Sequence, residues 1–304
     1  MDIKVSISPD KDNLTGRECP NERCLGYFKV QFGTGIKEVL PCHCPYCGHT
    51  ASQNHFYTKE QIEYVKSVAL NKITSQFIRE LKKLERKPDS NSMLSMGIEV
   101  NGNPHPIYFY REKKLEQIVI CDKCGLRYAI YGIFGCCPDC GVHNSLQILN
   151  MNLAVVEKMI ALAESVGINI ARKLIENGLK DIVSAMDAFA RESCKNASKV
   201  KKMNIDDVSF QNLNKAQKKL MDIFKINLNS VLNEKEWKKT NLLFQKRHLL
   251  AHKMGVADEQ FVRETGENSN MIGKSIDVSK EEVSFFIITI KKLSEYLYNE
   301  LNKP

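Results

Sequence analysis

Apolar and polar positions follow two different periods along these 304 residues, and the change of period divides the chain. From Met151 onward apolar residues recur every three to four positions, which places them on one face of a helix. Helices are predicted near 151–165, 168–176, 178–201, 209–230, 234–254 and 279–302. A Gly-, Asn- and Ser-rich loop from Thr265 to Ser279 joins the last two. Together they make an all-α domain at 151–304, a comfortable size for one core.

The first half reads differently. YFKVQF (Tyr27 to Phe32) alternates like a half-buried strand and runs into a Gly33-Thr34-Gly35 turn. Thr58, with Gln61 three residues on, forms a capping box. Behind it Ile62, Val65, Val68, Ala69, Ile73, Phe77, Leu81 and Leu84 keep a helical period to about Arg86. Pro88, Asp89, Ser90 and Asn91 make a linker. MGIEVNGNPHPIYFY then predicts two strands about an Asn101-Gly102 turn, and LRYAIYGIFG a further hairpin. The expected fold class is therefore α+β and multidomain. A first ribbon spans 1–57, a connecting helix and linker 58–90, a second ribbon 91–150, and the helical bundle follows.

Composition changes this picture little. The chain is 43% hydrophobic and 26% charged, which fits a globular protein and excludes a disordered or fibrous one. Met1 to Pro20 lacks a signal-peptide pattern, and the longest apolar run, Val283 to Ile290, is too short to span a bilayer. A soluble, cytoplasmic protein with no membrane partner is the expectation. The formal charge of +8 falls to about +4 if eight thiolates hold two zinc ions. The basic excess is spread over both halves, so nucleic-acid binding is allowed and not required.

Ten of the eleven cysteines lie at or before Cys140, mostly in close pairs. That pattern speaks for metal ligation in a reducing compartment rather than disulfides. Cys121-x-x-Cys124 and Cys137-x-x-Cys140 have the spacing of a closed four-thiolate zinc site, with Cys136 as an alternative to Cys137. In the first set Cys44-Pro-Tyr-Cys47 is a regular knuckle, but Cys19-x4-Cys24 is two residues longer than usual. Cys42 and His43 are rival ligands there. Both zinc ions are expected to be structural. Around them Tyr27, Phe28, Lys29, Phe32, His55, Phe56, Tyr57, Arg127, Tyr128 and Tyr131 mix aromatic and basic side chains, suited equally to stacking on bases and to packing.

The last chemistry lies in FQKRHLLAHKMGVAD, Phe244 to Asp258. Arg247 can hold a phosphate and His252 can move a proton near neutral pH. Leu242, Leu243, Leu249, Leu250 and Met254 form the apolar arc of this helix, with Arg247 at its edge. His252 lies about 140° round from Arg247, and His248 shares its face. For Arg247 and His252 to address one phosphate, the helix must end or distort between Ala251 and Gly255, or a second subunit must supply one group.

Arg247-x4-His252 resembles the R-x4–6-H motif of the HEPN superfamily. The continuation Gly255-Val256-Ala257-Asp258, then Phe261, Thr265-Gly266, Gly273 and a final amphipathic helix, is similar to bacterial HEPN proteins over about residues 215–302. The resemblance implies a homodimeric endoribonuclease that needs no catalytic metal, acting on RNA at a composite site and serving as a toxin or antiviral effector. His252 would be general acid or base, and Arg247 would hold the scissile phosphate. One position departs from the family: His248 stands where a polar residue, often Asn, follows the arginine. Asp187, Arg191 and Lys253 are auxiliary candidates. Asp187 and Arg191 are also spaced for an ordinary intrahelical ion pair. The alternative function is a non-catalytic binding protein, with the ribbons on nucleic acid or a second protein and the helical domain as a dimerisation platform.

Overall fold

The computed structural model describes residues 3–38, 41–86, 98–115, 117–200 and 209–303. The chain forms two compact units, Met1–Val142 and His143–Pro304, of mixed α and β structure. The linker read at 88–91 lies outside the described residues.

In the first unit, β1 (Thr15–Glu18) pairs antiparallel with β2 (Tyr27–Val30), and β5 (Gln117–Ile120) with β6 (Arg127–Ile130). The turn of each hairpin is a cysteine knuckle. Cys19 N–H donates to Gly26 O at 3.0 Å and Cys121 N–H to Leu126 O at 2.9 Å. The second hairpin therefore closes over Cys121–Cys124, not within LRYAIYGIFG, whose first half alone is a strand. β2 also pairs with β6, Lys29 opposite Ala129 and Val30 opposite Tyr128. The two ribbons thus share one sheet, ordered β1-β2-β6-β5, while β3 (Cys42–His43) and β4 (Thr50–Ala51) form a second, two-stranded one.

A central strand is covered on both faces, so β2 is buried at all four positions instead of alternating. Phe28, Phe56 and Tyr128 form the core with Cys19, Cys44, Cys121 and Cys137. Lys29 is drawn in as well, its ammonium 2.7 Å from the Asp10 carboxylate.

α1 (Lys59–Lys82) begins at Thr58 with both hydrogen bonds of its capping box. The two strands expected about Asn101-Gly102 do not form among the described residues, where a single bridge joins Arg86 and Ile98. The segment runs extended beside α1, whose side chains take the place of a strand partner. His105 O accepts from Asn71 Nδ2 at 2.6 Å, His105 N–H donates to Thr74 Oγ1 at 2.9 Å, and Tyr108 N–H to Ser67 Oγ at 3.0 Å.

The second unit is helical: α2 (Ser145–Leu162), α3 (Ile168–Val200), α4 (Leu213–Phe224), α5 (Glu234–His252), α6 (Glu259–Thr265) and α7 (Lys280–Leu301). Its core gathers Leu153, Leu179, Met186, Phe189, Phe244, Phe286 and Leu297. Three predicted boundaries shift. α2 begins in the stretch assigned to the second ribbon. The pair 168–176 and 178–201 is one helix, α3, passing through Gly178. The segment 209–230 breaks after α4, where Lys225 turns left-handed at φ 60°. The short α6 was not anticipated. Among the described residues one helical stretch, Ser145–Ser165, is long and apolar enough to cross a membrane by length and composition. Its Leu149, Leu153, Val156 and Ile160 are buried in the unit's core.

Candidate metal centres and an arginine–histidine cluster

Each knuckle pair brings four sulfurs together: Cys19, Cys24, Cys44 and Cys47 in one set, Cys121, Cys124, Cys137 and Cys140 in the other, all within 4.8 Å of one another. The resolved Sγ–Sγ separations are 3.7 Å for Cys19–Cys47, 3.8 Å for Cys24–Cys44, 3.6 Å for Cys121–Cys140 and 3.5 Å for Cys124–Cys137. A tetrahedral ion with metal–sulfur bonds of about 2.3 Å sets its sulfurs about 3.8 Å apart. The residues fit such an ion.

The longer first knuckle absorbs its two extra residues in a turn at Asn21, whose carbonyl accepts from Cys24 N–H at 2.8 Å and Leu25 N–H at 3.0 Å. The rival ligands are committed elsewhere. His43 Nδ1 lies 2.9 Å from Thr50 Oγ1, and Cys42 is buried outside the sulfur cluster. Burial pushes the Cys19 thiol up to about 12 and Cys124 up to about 11. Burial also raises Cys47 and Cys121, but backbone amides (His49 for the one, Cys124 and Lys123 for the other) together with hydrogen bonds from neighbouring cysteine thiols leave both below the usual thiol value. Four crowded sulfurs ionise together only around a cation.

Of the mixed aromatic and basic residues around these sites, Tyr27, Phe28, Lys29, Phe56 and Tyr128 are buried. They are packing residues. Phe32, Tyr57 and Tyr131 stay exposed, and the Arg17 guanidinium lies 4.8 Å from the Phe32 ring centroid and 4.7 Å from that of Tyr57.

In the second unit the candidate residues sit in the last turns of α5. Asn233 and Glu236 start the helix with a capping box. It stays regular to His252 and then stops: Lys253 and Gly255 N–H both donate to Leu249 O, at 2.8 and 3.0 Å. Met254 and Gly255 are left-handed, φ 52° and 79°. Residues 255–276 fold back over this end. Ile276 N–H donates to Gly255 O at 2.8 Å, Ala257 N–H to Lys274 O and Gly273 N–H to Ala257 O at 2.9 Å each. Phe261 and Ile276 pack against Leu249 and Ala257. Phe261, Gly255 and Gly273, seen in the sequence only as a pattern, hold the end of α5. Met254, expected in the apolar arc, is instead 93% exposed beside His252.

Arg247 is buried, 7% exposed, and makes no hydrogen bond or ion pair among the described residues. Its nitrogens are not sealed in, since Tyr128 Oη is the one fully enclosed side-chain polar atom without a partner among them. Burial lowers its pKa, opposed by the charge of Asp187. Asp187 is itself held, accepting from Phe210 N–H at 2.5 Å and from Arg191 Nε at 3.2 Å. The Asp187–Arg191 pair is thus the intrahelical ion pair that its spacing suggests. Arg191 and the exposed Lys253 are not drawn onto Arg247.

The His248 and His252 rings lie one turn apart, centroids 4.9 Å apart and tilted 50° to one another. His248 is half-buried, and burial, then the charges of His252 and Arg247, hold its pKa below the usual histidine value. An imidazole whose protonated form is disfavoured therefore lies next in the chain to a guanidinium without a hydrogen bond among the described residues. Because α5 is regular through His252, Arg247 and His252 still diverge within one chain. Asp258, seen in the sequence only as part of the Gly255–Asp258 pattern, caps α6 through Phe261 N–H at 2.8 Å and its charge acts on His248. No protein-family model, curated protein or solved structure matches this chain.

Proposed function

We propose that this chain is an endoribonuclease of HEPN type, with two structural zinc ions holding its first unit. The observation that carries the reading is Arg247: a buried guanidinium with no hydrogen bond or ion pair among the described residues, on the helix that also carries His248 and His252. A cation taken out of water without hydrogen bonds costs stability. Such a cost is compensated where an anion from outside completes its donor set, and a planar fork of donors matches a phosphate.

RNA brings its own nucleophile, the ribose 2′-OH. In this reading one imidazole accepts the proton of that hydroxyl, and another protonates the leaving 5′-oxygen. Arg247 stabilises the charge that builds on the phosphorus-bound oxygens. The products are a 2′,3′-cyclic phosphate and a 5′-hydroxyl, and these steps ask nothing of a metal. Since Arg247 and His252 diverge on one regular helix, a homodimer placing two copies of α5 across a cleft provides the second group. Met254 at 93% and Val256 at 40% exposure lie beside His252 as surface a second chain can cover. Regulated RNA destruction, as a toxin or an antiviral effector, belongs to the same reading. So does a nucleic-acid or protein partner at the ribbons.

Purified protein incubated with RNA in excess EDTA is expected to yield ends blocked as 2′,3′-cyclic phosphates. Arg247→Ala and His252→Ala are each expected to slow cleavage by about 100-fold or more. Equal activity in all three preparations would refute the assignment.

A further inference from the structure

α1 is inverted relative to an ordinary amphipathic helix. Its buried residues are Gln61 and Ser67, while Ile62, Ile73 and Phe77, at 42%, 50% and 63%, are exposed. Tyr64, Ser67, Asn71 and Thr74 face the extended segment that follows them in the first unit. Among the described residues of that unit no other helix or strand packs extensively along α1. Single exposed apolar residues need no explanation, but a row of them on one face does.

Ile62, Lys66, Ala69, Ile73, Phe77 and Glu80 fall within an arc of about 80° at about 100° per residue. Leu84, 61% exposed, continues the row in the turn just after the helix. The steps between these residues are four, three, four, four, three and four, a series that reads the same in both directions about Ile73. A helix laid antiparallel on its own copy, with the twofold axis at Ile73, therefore meets itself in register. Ile62 comes level with Leu84 and Ala69 with Phe77, a small residue against a large one. Lys66 comes level with Glu80, an opposite charge, and each of these pairs occurs twice. Members of each pair lie on opposite sides of the seam, as knobs-into-holes packing requires.

We infer that the exposed face of α1 is a self-association surface that binds a second copy of this chain, antiparallel about Ile73. The basis is this self-complementarity of charge and size along a stripe of about 33 Å. It is independent of the ribonuclease reading and of any dimer through the helical unit.

The test uses the full chain in sedimentation velocity. Lys66→Glu and Glu80→Lys each set like charges across the seam twice, and both positions are exposed, so the fold and the metal content are retained. Each variant alone is expected to associate about tenfold or more weakly than the wild type. An equimolar mixture of the two is expected to regain association, as is the double variant, because opposite charges then meet again. Ile73→Glu, on the axis, is expected to abolish the species. The inference is overturned if either charge variant sediments as the wild type does, or if the mixture fails to regain association. It is equally overturned if the wild type shows no species that Ile73→Glu removes, since the face is then covered by the helical unit or a different protein.

Discussion

In the proposed reading, Arg247 sets stability and function against each other in a single side chain. Its guanidinium is buried beside Asp187 without a hydrogen bond to it, so the fold carries a desolvation cost that a bound phosphate would offset. Arg247→Met keeps the volume and removes the charge. The thermal midpoint is expected to hold or rise while RNA cleavage is lost. A fall of several degrees would make the arginine a structural brace instead. At this scale the eight candidate sulfur ligands were legible, because close cysteine pairs, three C-x-x-C and one C-x4-C, are a local signal read within a turn or two. The burial of Lys29 and Phe28 was not, because it depends on β6, about a hundred residues away in sequence.

At the scale of elements, α3 is the informative misreading. A glycine inside a helix costs about 1 kcal/mol relative to alanine, and the predicted break falls at position 177, next to Gly178. The tertiary contact supplies the other side of the balance. A Cβ on Gly178 would stand 2.9 Å from Val156 Cγ1 and 3.8 Å from Val283 Cγ1, so the glycine lets α2 approach α3. Gly178→Ala gains propensity but overpacks a full core, which costs about 1–3 kcal/mol. The stability measured by urea unfolding is therefore expected to fall. An increase would mean that α2 gives way easily. The segment after Asn101 is the complementary case. Its Asn-Gly turn signal is real, but the side chains of Ser67, Asn71 and Thr74 satisfy its backbone where a strand was expected.

On the scale of the whole molecule, the two units draw their stability from different sources. The core of Met1–Val142 contains the cysteines that could hold metal ions, whereas that of His143–Pro304 is an aliphatic and aromatic cluster. A structural zinc ion contributes on the order of 10–16 kcal/mol of apparent folding free energy at neutral pH. A strong chelator with a thiol reagent is expected to release two zinc ions per chain. Amide protection across β1, β2, β5 and β6 should then be lost, while the amides of α3 and α7 stay protected. Equal loss in both units would contradict this division.

The sequence by itself determined the elements whose signals are short-ranged: the capping box at Thr58, the knuckle spacings, the helical period after Met151 and the stop at Gly255. Each is set by backbone sterics and hydrogen bonding within a turn or two. Only the tertiary structure decided which strand pairs with which, that the ribbons share one sheet, and that α3 runs through its glycine. It also decided which charges are buried. Arg247 and His252 belong to both accounts. Their spacing is written in the chain, but that Arg247 is buried depends on the core that closes around α5, and burial is a property of the assembled fold rather than of any local stretch of sequence.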